Sequence, residues 1–145
     1  MSQRLVSEVI RNKTFVAVPP STTVREAAHL MKAKHISAVL VVDRHHMLRG
    51  ICTERDLVVH VLAADVDPVT TKVADVMTHD PVTITPDKPF CHALHRMYEG
   101  GFRHVPVVDE AGHPLGMLAA RDALQMDAVE LEEELVRREE ITVIL

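Results

Sequence analysis

The chain has 145 residues, 47% of them apolar and 26% charged, which is globular composition and excludes a disordered chain. That length is one ordinary domain, or two small ones sharing a core. A formal charge of −5, and aromatics confined to Phe15, Phe90, Tyr98 and Phe102, argue against both a basic nucleic-acid face and a base-stacking platform.

Met1-Ser2-Gln3-Arg4 opens no basic-then-apolar leader. Apolar runs such as Val39–Val42 fall far short of the ~20 residues a bilayer demands. The expected location is therefore cytoplasmic, with no membrane contact. Cys52 and Cys91 form no CxxC pair and read as reduced core or half-buried thiols.

Taken in chain order, Val16–Val18 reads as a short strand ending at a proline. Thr23-x-x-Glu26 is a capping box. It opens a helix whose Val24, Ala27, Ala28 and Met31 share one face. Strands Ala38–Val42 and Leu48–Thr53 flank a turn at Arg44–His46, and a second helix starts at Glu54. Asp65–Thr71, with Pro68, reads as a link. The same order then returns: Val82–Ile84, a helix with Phe90, Ala93, Leu94 and Met97 on one face, His104–Val108, a turn at Glu110–Gly112, Leu115–Ala119, and a helix from Ala120. Asp87 with Pro89 serves as the start signal of the second long helix.

The recurrence has a fixed offset of 66 residues, without gaps, and residues 16–58 and 82–124 are identical at twelve positions. Chance pairing would give roughly three. The identities include Ala27/Ala93, Met31/Met97, Asp43/Asp109, Gly50/Gly116, Arg55/Arg121 and Asp56/Asp122. Each unit is β-α-β-β-α. One such unit covers its sheet with helices on one side only, so the two copies are expected to pack through their sheets. The predicted class is α+β: two pseudo-symmetric repeats with a cleft near the pseudo-two-fold axis and a C-terminal helical extension. The expected boundaries are repeat 1 at 5–65, a linker at 66–72, repeat 2 at 73–125 and the extension at 126–145.

The residues Val24-x-x-Ala27-Ala28-x-x-Met31, Ile36–Asp43 and Gly50-Ile51-Cys52-Thr53-Glu54-Arg55-Asp56 resemble a CBS domain, the module named for cystathionine β-synthase. Arg103–Asp109 and Gly116–Asp122 carry the same resemblance in the second copy. Val73–Thr78 resembles the family's lead-in to a repeat, and Val6–Ile10 is a weaker counterpart. The resemblance spans about residues 5–125. It implies a non-catalytic regulatory module whose pairs often dimerise into a disc. Their clefts take AMP, ADP, ATP, NAD(H) or S-adenosylmethionine.

In this family the Asp of Gly-h-h-Thr-x-x-Asp accepts from the ribose and the Thr contacts phosphate, which points to Thr53 and Asp56. Thr53-x-x-Asp56 is equally a capping box. In the second copy Ala119 replaces the Thr while Asp122 remains, which favours a ligand or the helix dipole. The resemblance also places phosphate contacts at Thr78, Arg103 and His104. In the first copy Ser37 and Ala38 occupy the positions of Arg103 and His104 and carry no charge, so the two clefts are expected to be unequal. On that reading Thr53 and Asp56 serve one cleft, and Asp122, Arg103 and His104 the other, unless each draws on both copies. The base slot would come from Val18 and Ile36 in one copy and Ile84 and Val105 in the other, with Val16, Val39, Val82 and Phe102 beside them. Plain core is the alternative for all of these.

His92-x-x-His95 completes no recognisable ligand set, so no metal and no obligatory cofactor is expected. No GxSxG, P-loop or GxGxxG is present, and an enzyme is not expected. Leu124, Ala128, Leu131 and Leu135 extend a narrow apolar stripe, and Ile141–Leu145 is strand-like. Both suit a homodimer contact or a client protein as well as packing on the chain's own fold. The expected function is a sensor that binds an adenosine nucleotide, AMP or ATP first, and signals to an unknown client. The rival is a ligand-independent dimerisation scaffold.

Overall fold

The computed structural model describes residues 4–125 and 135–137. Helix α1 (Val6–Ile10) precedes strand β1 (Ala17–Val18), helix α2 (Val24–Lys34), strands β2 (Ala38–Val42) and β3 (Leu48–Thr53), and helix α3 (Glu54–Leu57), which runs into a π-helical turn (Val58–Leu62). Helix α4 (Val73–Val76), strand β4 (Thr78–His79), helix α5 (Phe90–Gly100) and strands β5 (His104–Val108) and β6 (Pro114–Ala119) follow. Residues 121–125 are again helical.

The 66-residue offset survives in the strand register. β1 runs parallel to β2 with Val18 opposite Val41, and Ile84 bridges Val107 in parallel. β2 pairs antiparallel with β3 and β5 with β6, and each hairpin shifts register one step before its turn. The turns agree in detail. Asp43 Oδ1 accepts from the N–H groups of His45 and Met47, and Asp109 Oδ1 accepts from those of Ala111 and His113. These are Asx turns, in which a carboxylate stands in for a backbone carbonyl. The expected second opening strand is reduced to the single Ile84 bridge.

Both long helices bury the predicted face: Val24, Ala27 and Met31 in α2, and Phe90, Ala93 and Met97 in α5. The Thr23–Glu26 capping box is present in both directions. The start signal predicted at Asp87 is not used. Pro89 is the N-cap with no side-chain bond, and Asp87 instead accepts from the Thr85 hydroxyl. The orphan N–H of Phe90 is satisfied from a distance, donating to Arg4 O at 2.7 Å, as Val24 N–H donates to Thr71 O at 2.9 Å.

These bonds reflect an exchange of lead-ins. Val6 of α1 is fully buried in the core of the second repeat, beside Ile84, Phe90 and Leu118. Val73 of α4 is fully buried in the core of the first, beside Val24, Val39 and Val41. The glycines at matching positions of the hairpins make room for them. A Cβ on Gly116 would lie 3.0 Å from Ile10, and one on Gly50 would strike the Met77 side chain. β4 adds a fourth strand to the first sheet, with Thr78 opposite Ile51.

The repeats meet through their sheets. Ala38, Leu40 and Ile51 form a buried cluster with Met117 of the second repeat against it. Leu40 and Pro106, one offset apart, are both fully buried. Leu48 N–H donates to Gly112 O across the junction. Every residue of β2 is buried because one face packs on α2 and the other on the partner repeat.

Cys52 is buried and free; Cys91 is exposed, which corrects its reading as a core or half-buried thiol. Burial, and next the nearby Asp56 charge, push the Cys52 thiol up to about 12. No described helix is long and apolar enough to cross a membrane.

Candidate functional site

A cleft of about 690 Å³ opens where the two repeats meet. Its walls come from both copies: Thr53 and Asp56 at the β3–α3 junction, Thr78 and Asp80 of the α4–β4 lead-in, and Arg103 and His104 at the start of β5. Phe102, Val82 and Ile51 supply its apolar surface.

Five predicted contact residues therefore share one cleft: Thr53, Asp56, Thr78, Arg103 and His104. Asp122 is not among the lining residues of this cleft, whereas Arg103 and His104 line it together with Thr53 and Asp56 of the other copy. Packing the repeats face to face carries the β5 entrance of one copy over the β3–α3 junction of the other. Val18, Ile84 and Val105 lie in the repeat cores, and Ile36 packs against one of them. The apolar walls Val82 and Phe102 were legible as second-copy candidates. Ile51, Asp80, Glu54 and Arg55 were not, because their membership depends on the packing of the two copies.

The β3–α3 junction is internally bonded. Asp56 Oδ2 accepts from the Thr53 N–H at 2.9 Å and from its hydroxyl at 3.1 Å. The Asp56 N–H donates back to Thr53 Oγ1 at 3.3 Å. Both Thr53 donors thus serve the cap, and both bonds to Asp56 converge on one oxygen. Oδ1 carries no bond among the described contacts, which leaves this oxygen with acceptor capacity.

The matching junction of the second repeat is built differently. Asp122 Oδ2 accepts the Ala119 N–H at 2.8 Å and the Lys13 ammonium at 2.6 Å. Lys13 also donates to Met117 O at 3.0 Å. Asp122 is 8% exposed and is the one buried charged residue among those described. A lysine has taken the place of the missing threonine hydroxyl.

Charge in the open cleft is mixed. Arg55 and Arg103 face Glu54, Asp56 and Asp80, and neither arginine is in an ion pair among the described residues. Asp80 has a left-handed backbone, φ 46°, where Asp is tolerated better than most residues. His104 Nε2 lies 2.8 Å from Ser37 Oγ of the first repeat. Burial holds its imidazole below the ordinary value, and Arg121 adds to that. Among the described residues no group of three or more His, Cys, Asp or Glu is placed to hold a metal ion.

The duplicated fold and this shared cleft define a tandem pair of like repeats, and comparison with known proteins gives their family. The CBS domain model matches residues 6–63 and 73–128; the chain belongs to the CBS domain family. Its matched segment is 37% identical over 109 residues to CBS domain-containing protein CBSCBSPB3 of Arabidopsis thaliana, covering 75% of this chain and 19% of that protein. The match thus spans about a fifth of that plant relative. Among solved structures, the CBS domain pair of protein MJ0100 in complex with 5′-methylthioadenosine and S-adenosyl-L-methionine superposes with a TM-score of 0.80 at 24% identity, over 89% of this chain and 99% of that one. CBS domain protein PAE2072 of Pyrobaculum aerophilum, complexed with AMP, gives 0.79 at 24% identity over 89% and 97%. These two likenesses establish the fold.

Proposed function

We propose that the chain is a regulatory module that binds an adenosine nucleotide in the cleft between its repeats and passes occupancy to a partner. The observation that carries this reading is the convergence of an acidic acceptor, two arginines without an ion pair among the described residues and an apolar wall on one 690 Å³ cleft. That volume suits a mononucleotide. Asp56 Oδ1 would accept from the ribose hydroxyls, with Arg103, His104 and Thr78 turned to phosphate. Val82, Phe102 and Ile51 would hold the base. Thr53 acts by orienting Asp56. A guanidinium suits phosphate because it donates bidentately. The pairs from MJ0100 and P. aerophilum are described with S-adenosylmethionine, methylthioadenosine and AMP, all adenosine compounds.

The module is read as non-catalytic, cytoplasmic and homodimeric. Val58, Val59 and Leu62 of the π-helical turn and Leu124 and Leu135 are exposed, which supports a subunit or client contact. Ala128, Leu131 and Ile141–Leu145, which the sequence also offered for that contact, lie outside the described residues.

The test is a thermal-shift screen with AMP, ADP, ATP, NAD⁺, NADH and S-adenosylmethionine, followed by calorimetry. Ligand at a hundredfold over Kd should add about 2.7 kcal/mol of stability. Asp56→Ala should weaken binding about ten- to a hundredfold by removing a charged acceptor. Arg103→Ala should weaken AMP more than adenosine. No shift with any of the six ligands would favour the ligand-independent dimerisation scaffold. A monomeric mass by sedimentation would remove the dimer.

A further inference from the structure

His104 occupies an unusual position. It is the first residue of β5, paired with Ala119 of β6, and it lines the open cleft. Its ring reaches across the repeat junction to Ser37 Oγ at 2.8 Å. Ser37 in turn accepts the Glu54 N–H on its carbonyl at 2.9 Å, at the start of α3. One imidazole therefore joins the second repeat to the residue that leads into the cap of the first.

The charges around it come from both repeats. Arg121 and Lys13 oppose a proton on the ring, and Glu54 and Asp122 favour one. Arg55, Arg103, Asp56 and Asp80 share its cleft. With burial added, the balance keeps the ring neutral at neutral pH. Charges of both signs thus act on the ring, with burial the largest influence against a proton. One further anion close to the ring favours the protonated form.

We propose that His104 is the charge sensor of the cleft: its imidazole takes up a proton from solvent when a phosphate-bearing adenosine ligand binds, and not when an uncharged adenosine does. This rests on the nucleotide reading of the cleft and adds to it which ligands are told apart. An anion within about 5 Å of an imidazole raises its pKa by roughly one unit or more, tenfold in proton affinity. A protonated ring donates from both nitrogens. It can then hold the Ser37 hydroxyl and a phosphate oxygen together, clamping the two repeats across the ligand. Methylthioadenosine, with no phosphate, and S-adenosylmethionine, with a sulfonium cation, would bind without proton uptake.

The sign follows from linkage. The bound pKa lies above the free one, so the complex holds more protons between them. Affinity for the anion therefore rises as pH falls from the bound value to the free value. The ligand phosphate has its own ionisation near pH ~6, and its protonation works the other way. The comparison with a variant lacking the imidazole separates the two.

The experiment follows the ring resonances of His104 by NMR from about pH 5 to 8, in the free protein, with saturating AMP and with saturating adenosine. The resonance is assigned by its loss in His104→Gln. AMP should raise the His104 pKa by about one unit and adenosine should leave it unchanged. By calorimetry, wild type should gain about tenfold in AMP affinity relative to His104→Gln between roughly pH 7.5 and 5.5. An unchanged His104 pKa in the AMP complex overturns the proposal, as does an equal rise with adenosine. If no cleft resonance responds to either ligand, the nucleotide reading fails and this proposal falls with it. The pKa measurement is made on the wild-type protein and does not depend on the folding of the variant.

Discussion

The β3–α3 junction of the first repeat and the β6–helix junction of the second occupy equivalent places and share the spacing Gly-x-x-x-x-Arg-Asp. At the first, Thr53 caps Asp56 and the carboxylate borders an open cleft. At the second, Ala119 offers no hydroxyl, Asp122 is buried, and Lys13 of the exchanged lead-in holds it at 2.6 Å. The position equivalent to Lys13, 66 residues on, is His79, and Asp80 beside it lines the open cleft. Duplication thus preserved the acid and diverged the groups around it. One copy of the acid lines an open cleft, and the other is bonded to the lead-in.

The largest test of that contrast is Asp122→Ala against Asp56→Ala. Removing Asp122 strands a half-buried ammonium and a buried Ala119 N–H. It should cost about 2–4 kcal/mol in urea denaturation, discounted for the 31% exposure of Lys13. Asp56→Ala loses one cap, about 1 kcal/mol, while carrying the larger loss in ligand affinity. Equal stability losses would break the comparison.

The hairpin glycines come next. Gly116→Ala would press on the branched side chain of Ile10 at 3.0 Å and should cost about 1–3 kcal/mol. Gly50→Ala presses on Met77, an unbranched chain that can swing aside. Its loss of thermal stability should be the smaller of the two.

The helix ends sharpen the comparison further. α2 closes on His35 at φ 53° and α5 on Gly101 at φ 71°, equivalent residues in the left-handed region. Gly101→Ala, with no atom within 4 Å of the added Cβ, tests the backbone alone and should cost about 1 kcal/mol. His35→Gly should stabilise by a similar or smaller amount.

The smallest effect is the one the repeats share. Backbone N–H donors lower the pKa of Asp43 and Asp109, Met47 chiefly at the first and His113 at the second. Their folded pKa values lie below the unfolded ones, so this stabilisation is present above about pH 4 and is lost as pH falls through the folded values. Both carboxylates are partly exposed, 21% at Asp43 and 40% at Asp109, so solvent screens them. Asp43→Asn and Asp109→Asn should each flatten the acid limb of a melting-temperature profile slightly and equally.

Much of this molecule was legible in its residues. Local chemistry set both helix faces, the Thr23–Glu26 and Thr53–Asp56 caps, the two turns and the hairpins, because each depends on neighbours within a few positions. The fixed offset of 66 residues made the second copy readable from the first. A sheet with one bare face required the copies to meet. The CBS family is carried by those same motifs.

What tertiary structure alone decided is which residues meet across the copies. The exchange of α1 and α4 between repeats, the seat of Phe90 N–H on Arg4 O, and the Lys13–Asp122 pair join residues far apart in the chain. No periodicity encodes such a pairing. The meeting of Arg103 and His104 with Thr53 and Asp56 of the other copy in one cleft has the same cause. Residue types and spacing fix what each copy can form, and only the packing of one copy on the other determines which acid faces the open cleft.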